Sequence, residues 1–370
     1  MTLRTLPRLL SVLAVLALAM PAHAGSRLSL DLSASLVRND NFLEYSQNQI
    51  DTYQAGTHPL RYAVSSIDDV ILGPGASLTW ELDEGKGRRH ALRAHWDGDF
   101  HSSNPGADFR NYSARWTESF RGGRRLAVGF GRLDDFYVRQ LRADGIPLPP
   151  PAPGPQNDVL WRRAEFDQDA ISASWREPLQ RNVDLTLNAR HETRTYLAPF
   201  DERSSKANEF GLALGFDGFK RDGSLDLSLG YRKSVAKAHD STNPADTTDV
   251  SYHGLEGGLS GRRTLSHSGR TRWIGDASLE FATRDYDSQL PERVDAYHVG
   301  RHDLLIAFEV GVRAEVRDLG VRGFARLENN DATLSALATS TNPSTDSGSY
   351  RKLQVGVEAT WSLDLLRARR

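Results

Sequence analysis

Apolar and polar residues alternate along most of the chain after Gly25. Over positions 28–36 every second residue is Leu or Ala and the residues between them are Ser or Asp, and the same alternation runs over 353–363. Similar runs occupy positions 76–82, 92–100, 112–120, 183–189, 210–216, 225–231, 273–281 and 304–316. Successive side chains of a β-strand point to opposite faces, so this period of two predicts strands with one apolar and one polar face.

The segments between these runs fall into two kinds. Segments 38–70, 101–108, 136–158, 197–206, 236–249, 287–295 and 330–348 are long or rich in Asn, Asp, Ser, Thr and Pro, whereas 84–88, 121–123, 178–182, 219–223, 264–270 and 317–319 are mostly short and contain Gly or Pro. The two kinds alternate strictly and give 13 connections, hence 14 strands. Segment 159–177 is interpreted as one long strand with a bulge at 166–170, where Asp167, Gln168 and Asp169 interrupt the pattern. Totals of 12 or 16 strands stay open.

The sorted connections indicate the fold class. Bacterial outer-membrane barrels have an even number of antiparallel strands, short periplasmic turns and longer extracellular loops. We therefore predict an all-β protein, a closed antiparallel transmembrane β-barrel of 14 strands with both termini periplasmic. A soluble β-sandwich also has alternating strands, but it is not expected to sort its connections by length. All seven Trp residues lie in or beside predicted strands, which favours an aromatic girdle.

The first 24 residues resemble a secretory signal peptide. Arg4 and Arg8 precede an apolar stretch over 9–20, and Ala22-His23-Ala24 supplies the small residues of a cleavage site. The apolar stretch is about 12 residues long, shorter than the ~20 residues that a spanning helix needs. We therefore divide the chain into a signal peptide, residues 1–24, and an outer-membrane β-barrel, residues 25–370, exported to the cell outer membrane.

Composition narrows the function classes. A mean hydropathy of −0.51 excludes a helical membrane protein, whereas a barrel, whose strands are half polar, is compatible with it. The absence of cysteine excludes disulfides and thiolate metal sites. Loss of Arg4 and Arg8 with the signal peptide changes the formal charge from −2 to −4, so no basic excess attracts nucleic acid. We expect no cofactor and no metal.

The polar face of the strands carries both signs of charge. The residues predicted to line the lumen are Arg190, Glu192, Arg194, Arg272, Glu280, Glu309, Arg313, Arg322, Arg326 and Glu358. Two hypotheses stay open: these groups line a water-filled channel, or they pair across strands into a ladder that narrows the interior, at about 0.2–1 kcal/mol per pair. Because neither sign dominates, strong ion selectivity is not expected.

Loop 136–158 contains six prolines, a density that favours extended conformations without internal hydrogen bonds. Three interpretations stay open for it: a constriction folded into the mouth, an outward docking element, or a surface loop without functional constraint.

A catalytic role has one candidate. His95, Asp97 and Asp99 share an inward strand face, where a cluster with hydrolytic chemistry is geometrically allowed. The same groups also suit a polar lumen, and the sequence shows no second half of an active site. We therefore predict that the protein is not an enzyme and assign no catalytic residue, with an outer-membrane hydrolase as the least favoured alternative.

Several short motifs resemble known outer-membrane barrels. Val37-Arg38-Asn39-Asp40-Asn41-Phe42 looks like the opening of proteobacterial barrels associated with exopolysaccharide loci. Arg284-Asp285-Tyr286, Arg301-His302-Asp303, Asn329-Asn330 and Tyr350-Arg351 resemble the closing part of the beta-barrel porin 2 group and, loosely, of surface lipoprotein assembly modifier barrels. The modifiers carry a helical-repeat domain ahead of the barrel, which we do not expect here because the predicted signal peptide leads directly into the first predicted strand. The resemblance implies a porin-like barrel linked to surface polysaccharide.

These observations predict a porin-like channel for passive diffusion of small solutes. The alternative is a structural or ligand-binding barrel with a filled lumen and functional extracellular loops. Expected partners are outer-membrane lipids and lipopolysaccharide, the barrel assembly machinery, and a small-molecule or polysaccharide substrate.

Overall fold

A computed structural model describes residues 25–56, 59–142, 161–219, 222–243, 246–334 and 348–367. The predicted signal peptide, residues 1–24, lies outside the described residues. So does most of the proline-rich loop, because 143–160 are not described.

Fourteen antiparallel strands form one closed barrel, in which each strand pairs with the next and β1 pairs with β14. The strands are β1 (Ser26–Asn39), β2 (Asp69–Gly85), β3 (Arg88–His101), β4 (Phe109–Ser119), β5 (Arg125–Arg142), β6 (Trp161–Gln180), β7 (Val183–Tyr196), β8 (Ser205–Phe219), β9 (Gly223–Ala236), β10 (Tyr252–Ser268), β11 (Thr271–Tyr286), β12 (His302–Val316), β13 (Leu319–Thr333) and β14 (Tyr350–Arg367). The predicted fold class and strand number are confirmed.

The two ends of the barrel differ as the sequence predicts. One end, called the turn end, has six connections of two to five residues. The first strand begins at this end and the last strand finishes there. The other end, called the loop end, has seven connections, of which 102–108 is the shortest and 40–68 the longest. That the turn end faces the periplasm stays a prediction.

The outer face of the barrel is apolar. Alternate residues of every strand point outward, and large apolar side chains among them are strongly exposed, for example Phe210 at 63 %, Ile171 at 59 % and Val355 at 52 %. In water such a surface would be unstable, whereas in a bilayer it faces hydrocarbon, and closed pairing leaves no unsatisfied strand edge. The chain is therefore a membrane-spanning barrel built like those of the bacterial outer membrane. Within the described residues, no helix is long and apolar enough to cross a membrane.

The predicted bulge lies on a different strand. β6 is one long strand, as predicted, and it pairs regularly over 166–170 with β7. The register shifts lie in its neighbour β5, between Leu133 and Phe136 and again between Tyr137 and Arg139, with Asp135 in the left-handed region at a φ of 57°. The acidic residues that interrupt the apolar pattern of β6 therefore do not mark a bulge in that strand. They form ion pairs with Arg132 of β5, which lies 3.1 Å from Asp167 and 3.2 Å from Asp169. Arg132 and Asp169 pair two positions along from Phe130 and Ile171, so these charged side chains lie on the same outward face.

A closed barrel makes a prediction for gel electrophoresis. Since all strands are paired, the barrel should resist SDS until it is heated, so unboiled protein should migrate faster than boiled protein. Equal mobility of the two samples, with recovery of the protein from the soluble periplasm, would contradict a membrane barrel.

Candidate functional site

The connection between β1 and β2, residues 40–68, folds back toward the barrel interior and is called the inward loop. It contains a helix, α1 (Gln47–Gln54), which the sequence analysis missed. Ser46 caps this helix: its side chain accepts a hydrogen bond from the Gln49 backbone N–H, and the Gln49 side chain accepts one from the Ser46 backbone N–H. This reciprocal pair is the capping box, and Ser46-x-x-Gln49 was the signal that could have predicted the helix.

A small core of its own holds the inward loop in place. Leu43, Tyr45, Tyr62 and Ile67 are buried together with Tyr137 of β5. The rings of Tyr45 and Tyr62 meet edge to face at 5.3 Å between centroids. A backbone hydrogen bond of 3.2 Å from Phe42 N to Ile67 O closes the base of the loop. The loop is thus a packed element of the barrel mouth.

The inward loop is also tied to β14. The buried side chain of Asn41 donates from Nδ2 to the backbone oxygens of Tyr45 and Arg351, at 2.8 and 3.0 Å. Lys352 Nζ lies 2.8 Å from carboxylate oxygens of both Glu44 and Glu328. These contacts position the loop against the wall of the barrel.

A cavity of about 760 Å³ lies between the inward loop and the barrel wall and is called the loop-end cavity. Its volume falls within the range of roughly 300–1,000 Å³ that ligand sites occupy. Among the described residues, eight basic side chains line it, namely Arg61, Arg139, Arg142, Arg194, Arg203, Arg284, Arg301 and Lys352. Only four carboxylates do so, those of Glu44, Asp295, Asp303 and Glu328. The chain as a whole is nearly balanced in charge, but the lining of this cavity has an excess of basic side chains.

Aromatic rings hold several of these basic groups. The guanidinium of Arg61 lies over Tyr62 and Trp161, at 5.2 and 4.8 Å from the ring centroids. The Arg284 guanidinium lies 5.5 Å from the centroid of Tyr252. Such cation–π contacts fix a cation without neutralising it. Trp161 thus differs from a girdle residue, because it stacks with a cation at the loop end.

Two neighbouring loops share buried polar groups beside the cavity. The backbone N–H of Asp249, between β9 and β10, donates to Asp295, between β11 and β12, at 2.9 Å. Asp295 Oδ1 lies 2.7 Å from Nδ1 of the buried His298. Burial disfavours the charge of Asp295, but hydrogen bonds from His298 and from the Asp249 backbone outweigh it and keep the pKa of Asp295 low. Burial lowers the pKa of His298, so a neutral imidazole donates to a charged carboxylate. This network stiffens the loop end.

Residues of the motifs that carried the family resemblance converge on this site. Arg284, Tyr286, Arg301, Asp303 and Tyr350 all line the loop-end cavity. Arg301 binds Asp303 through two hydrogen bonds of 2.6 and 2.8 Å. Their shared location is not visible in the sequence, because only closure of the barrel brings β11, β12 and β14 around one space.

The ten residues predicted to line the lumen all occupy register positions opposite the exposed apolar face. Their ion pairs include Arg190–Glu192 at 3.2 Å, Arg194–Glu192 at 2.9 Å, Arg272–Glu315 at 3.0 Å, Arg326–Glu280 at 2.7 Å and Arg322–Glu309 at 2.5 Å. Arg313 lies opposite Arg322 in the register, and Glu358 lies 3.6 Å from Arg322. That they border a permeation path stays a prediction.

Cross-strand pairing is dense on the β11–β14 wall. Arg322 contacts Asp276, Glu309 and Glu358, which come from three other strands. Only 13 % of the Arg322 side chain is exposed, so loss of this guanidinium would leave carboxylates close together with little water between them. On the wall formed by β11–β14, the contacts match the hypothesis that opposite charges pair across strands into a ladder.

The candidate catalytic cluster has a different composition from the one predicted. Ser77 Oγ lies 2.7 Å from His95 Nδ1, and His95 Nε2 lies 2.8 Å from Asp97 Oδ1, so Ser77 joins the cluster. A serine nucleophile must reach its substrate. Ser77 is only 3 % exposed, and its Oγ also accepts a hydrogen bond from Arg93 at 2.8 Å. The chain of contacts thus links two strands without presenting a nucleophile to the lumen.

Comparison with known proteins assigns the chain to no family. No protein-family model matches the chain, and no curated protein matches it significantly. Many solved structures match the chain, and those named here do so at low sequence identity. A bacterial polysaccharide outer membrane secretin is 10 % identical, with a TM-score of 0.40 over 93 % of this chain and 100 % of its own. An anion-selective porin from Comamonas acidovorans is 9 % identical, with a TM-score of 0.41 over 92 % and 100 %. OmpT of Vibrio cholerae in its trimer form is 7 % identical, with a TM-score of 0.44 over 92 % and 100 %.

Proposed function

We propose that the protein is a porin-like channel for passive diffusion of small polar solutes across the outer membrane. The observation that carries this proposal is the exposure of inward-facing polar side chains inside a closed wall. Arg115, Asn188, Arg190, Asp226 and Arg262 point inward and remain exposed. In a packed interior these side chains would be buried, so their exposure indicates a water-filled lumen.

The inward loop would set the size of the solutes that pass. It lies at the loop end, where Tyr45 and Tyr62 are buried together with Tyr137 of β5, and where Gln49 of α1 lines the loop-end cavity. The proposal therefore assigns selection to the mouth and bulk diffusion to the rest of the barrel.

The proposal also covers the biological setting. Export through the signal peptide of residues 1–24 would leave the barrel of residues 25–370 in the outer membrane, with the turn end periplasmic. The barrel assembly machinery and lipopolysaccharide are the partners that this setting requires. A link to surface polysaccharide rests on the sequence resemblance.

One observation favours the alternative of a ligand-binding barrel whose loops do the work. The loop-end cavity is lined by residues of several loops, and it concentrates basic side chains. Binding without conduction is therefore the second candidate function. A hydrolase is not supported, because Ser77 is buried.

Single-channel recording in planar bilayers tests the proposal. We expect the purified, heat-modifiable protein to give discrete conductance steps and to let small sugars swell liposomes. A heat-modifiable protein that gives neither steps nor swelling would overturn the diffusion channel and leave the barrel with a filled lumen.

A further inference from the structure

We infer that the loop-end cavity is a binding site for solutes that carry a carboxylate or a phosphate group. The inference deepens the proposed function, on which it rests for its physiological meaning, since a site at the mouth selects among the solutes that enter. It is carried by three features of the described residues: unpaired cations, unpartnered polar atoms and the geometry of guanidinium groups.

Three of the basic side chains form no direct ion pair with a described carboxylate. Among the described residues, Arg61, Arg203 and Arg284 form no ion pair, whereas Arg194, Arg301 and Lys352 each contact a carboxylate. Arg61 comes from the inward loop, Arg203 from the connection between β7 and β8, and Arg284 from the loop end of β11. Asp303 and Glu202 act on Arg284 and Arg203 only from beyond ion-pair distance. Separate elements thus deliver guanidinium groups without a direct ion pair to one cavity.

Two polar atoms at the cavity have no hydrogen-bond partner within the described part of the chain. They are the hydroxyl of Tyr45, a residue only 2 % exposed, and Nε of Arg203. Both atoms are donors, and a buried donor without an acceptor destabilises a fold by about 1–3 kcal/mol. Burial also raises the pKa of Tyr45, so its hydroxyl stays protonated and able to donate. A bound oxyanion would supply the missing acceptors.

The chemistry of the unpaired cations favours oxyanions over halides. A guanidinium presents parallel N–H groups that match the two oxygens of a carboxylate or a phosphate. Arg61 is stacked on two rings, and the Arg284 side chain is exposed to the cavity, so their N–H edges are the parts left to meet a solute. Because the rings restrict both side chains, little conformational entropy is lost on binding.

Inhibition of the chloride current by three hexose compounds tests the site. Glucuronate, glucose 6-phosphate and glucose share one ring and differ in the group attached, a carboxylate, a phosphate or neither. In 0.1 M salt we expect at least one of the two anions to block the current at a concentration roughly tenfold or more below that of glucose. Block by only one anion would identify which oxyanion the site takes. Equal block by all three compounds would overturn the inference while the channel itself stands.

Matched variants separate this site from the general potential of the lumen. The double variant Arg61→Gln with Arg284→Gln should raise the half-blocking concentration of the effective anion by roughly tenfold or more. Arg115→Gln with Arg262→Gln removes the same charge from lumen positions that do not line the cavity, and it should change that concentration much less. Equal effects of the two double variants would overturn a discrete site. Heat modifiability on gels checks that each variant is folded.

A second measurement keeps the inference independent of conduction. In detergent, binding of the anion near the stacked pair of Arg61 and Trp161 should change the tryptophan fluorescence of the protein, and Trp161→Phe should remove that change. If no channel forms, the proposed function fails, and this titration alone decides the inference. Saturable binding of an anion, weakened in the Arg61 and Arg284 variant, would support it, and the absence of saturable binding would overturn it.

Discussion

Replacing residues 47–64 of the inward loop by a short Gly-rich linker should raise the single-channel conductance severalfold. The replaced segment contains α1 and Tyr62, and both Gln49 of α1 and Tyr62 line the loop-end cavity, so their removal should widen the mouth. The Phe42–Ile67 backbone hydrogen bond holds the base of the loop together, so a short linker can bridge it, and the contacts of Asn41 and Glu44 with β14 are retained. Planar-bilayer recording in 1 M KCl measures the change.

The matched control keeps the loop at full length. Ser46→Ala removes the helix cap, which stabilises a helix by about 1 kcal/mol, but leaves every side chain of residues 47–64 in place. Its conductance should stay near that of the unmodified protein. An unchanged conductance in the shortened, heat-modifiable variant would mean that the narrowest point lies elsewhere in the channel.

Adjacent residues on β14 should respond very differently to the same substitution. Val355 faces outward and is 52 % exposed, so Val355→Arg places a charge in the hydrocarbon layer at a cost of about 2–4 kcal/mol near its middle. Gln354 faces the lumen opposite Arg326, and Glu280, Glu309 and Glu328 surround that arginine. These carboxylates offset an added positive charge, so Gln354→Arg should cost far less.

Urea unfolding of the barrel in phospholipid vesicles measures both free energies of unfolding. Val355→Leu serves as the control for substitution at the outward position without charge, and it should be close to neutral. Greater destabilisation by Gln354→Arg than by Val355→Arg would place the two faces of β14 the other way round.

The fold was largely predictable because a membrane barrel repeats one simple rule. Outward residues must be apolar in every strand, so the period of two marks strand after strand, and the length of each connection shows at which end it lies. The rule fails where strands extend beyond the apolar band. There Asp167 and Asp169 of β6 face outward with Arg132. From the sequence alone, charged residues at outward positions cannot be distinguished from a bulge that shifts the alternation.

The site was predictable only in part. Its basic side chains come from segments as far apart as Arg61 and Lys352, and a single strand shows no sign of what it will face across a closed barrel. The inward course of loop 40–68 depends on packing of Tyr45 and Tyr62 against β5, a tertiary effect without a local pattern. The capping box at Ser46 was visible in the sequence, but it predicts a helix and not the direction in which the loop folds.

The attachment of the inward loop to β14 has a consequence for the lifetime of the barrel. Its hydrogen bonds join residues that are 308 to 313 positions apart: Lys352 with Glu44, Asn41 with Arg351, and Leu353 N with Asp40 Oδ1 at 2.7 Å. They can form only after β1 has met β14, the pairing with the largest loop-closure entropy in the chain. Conversely, they must break before these two strands can separate. The loop therefore slows unfolding more than it speeds folding, and it makes the closed barrel kinetically persistent.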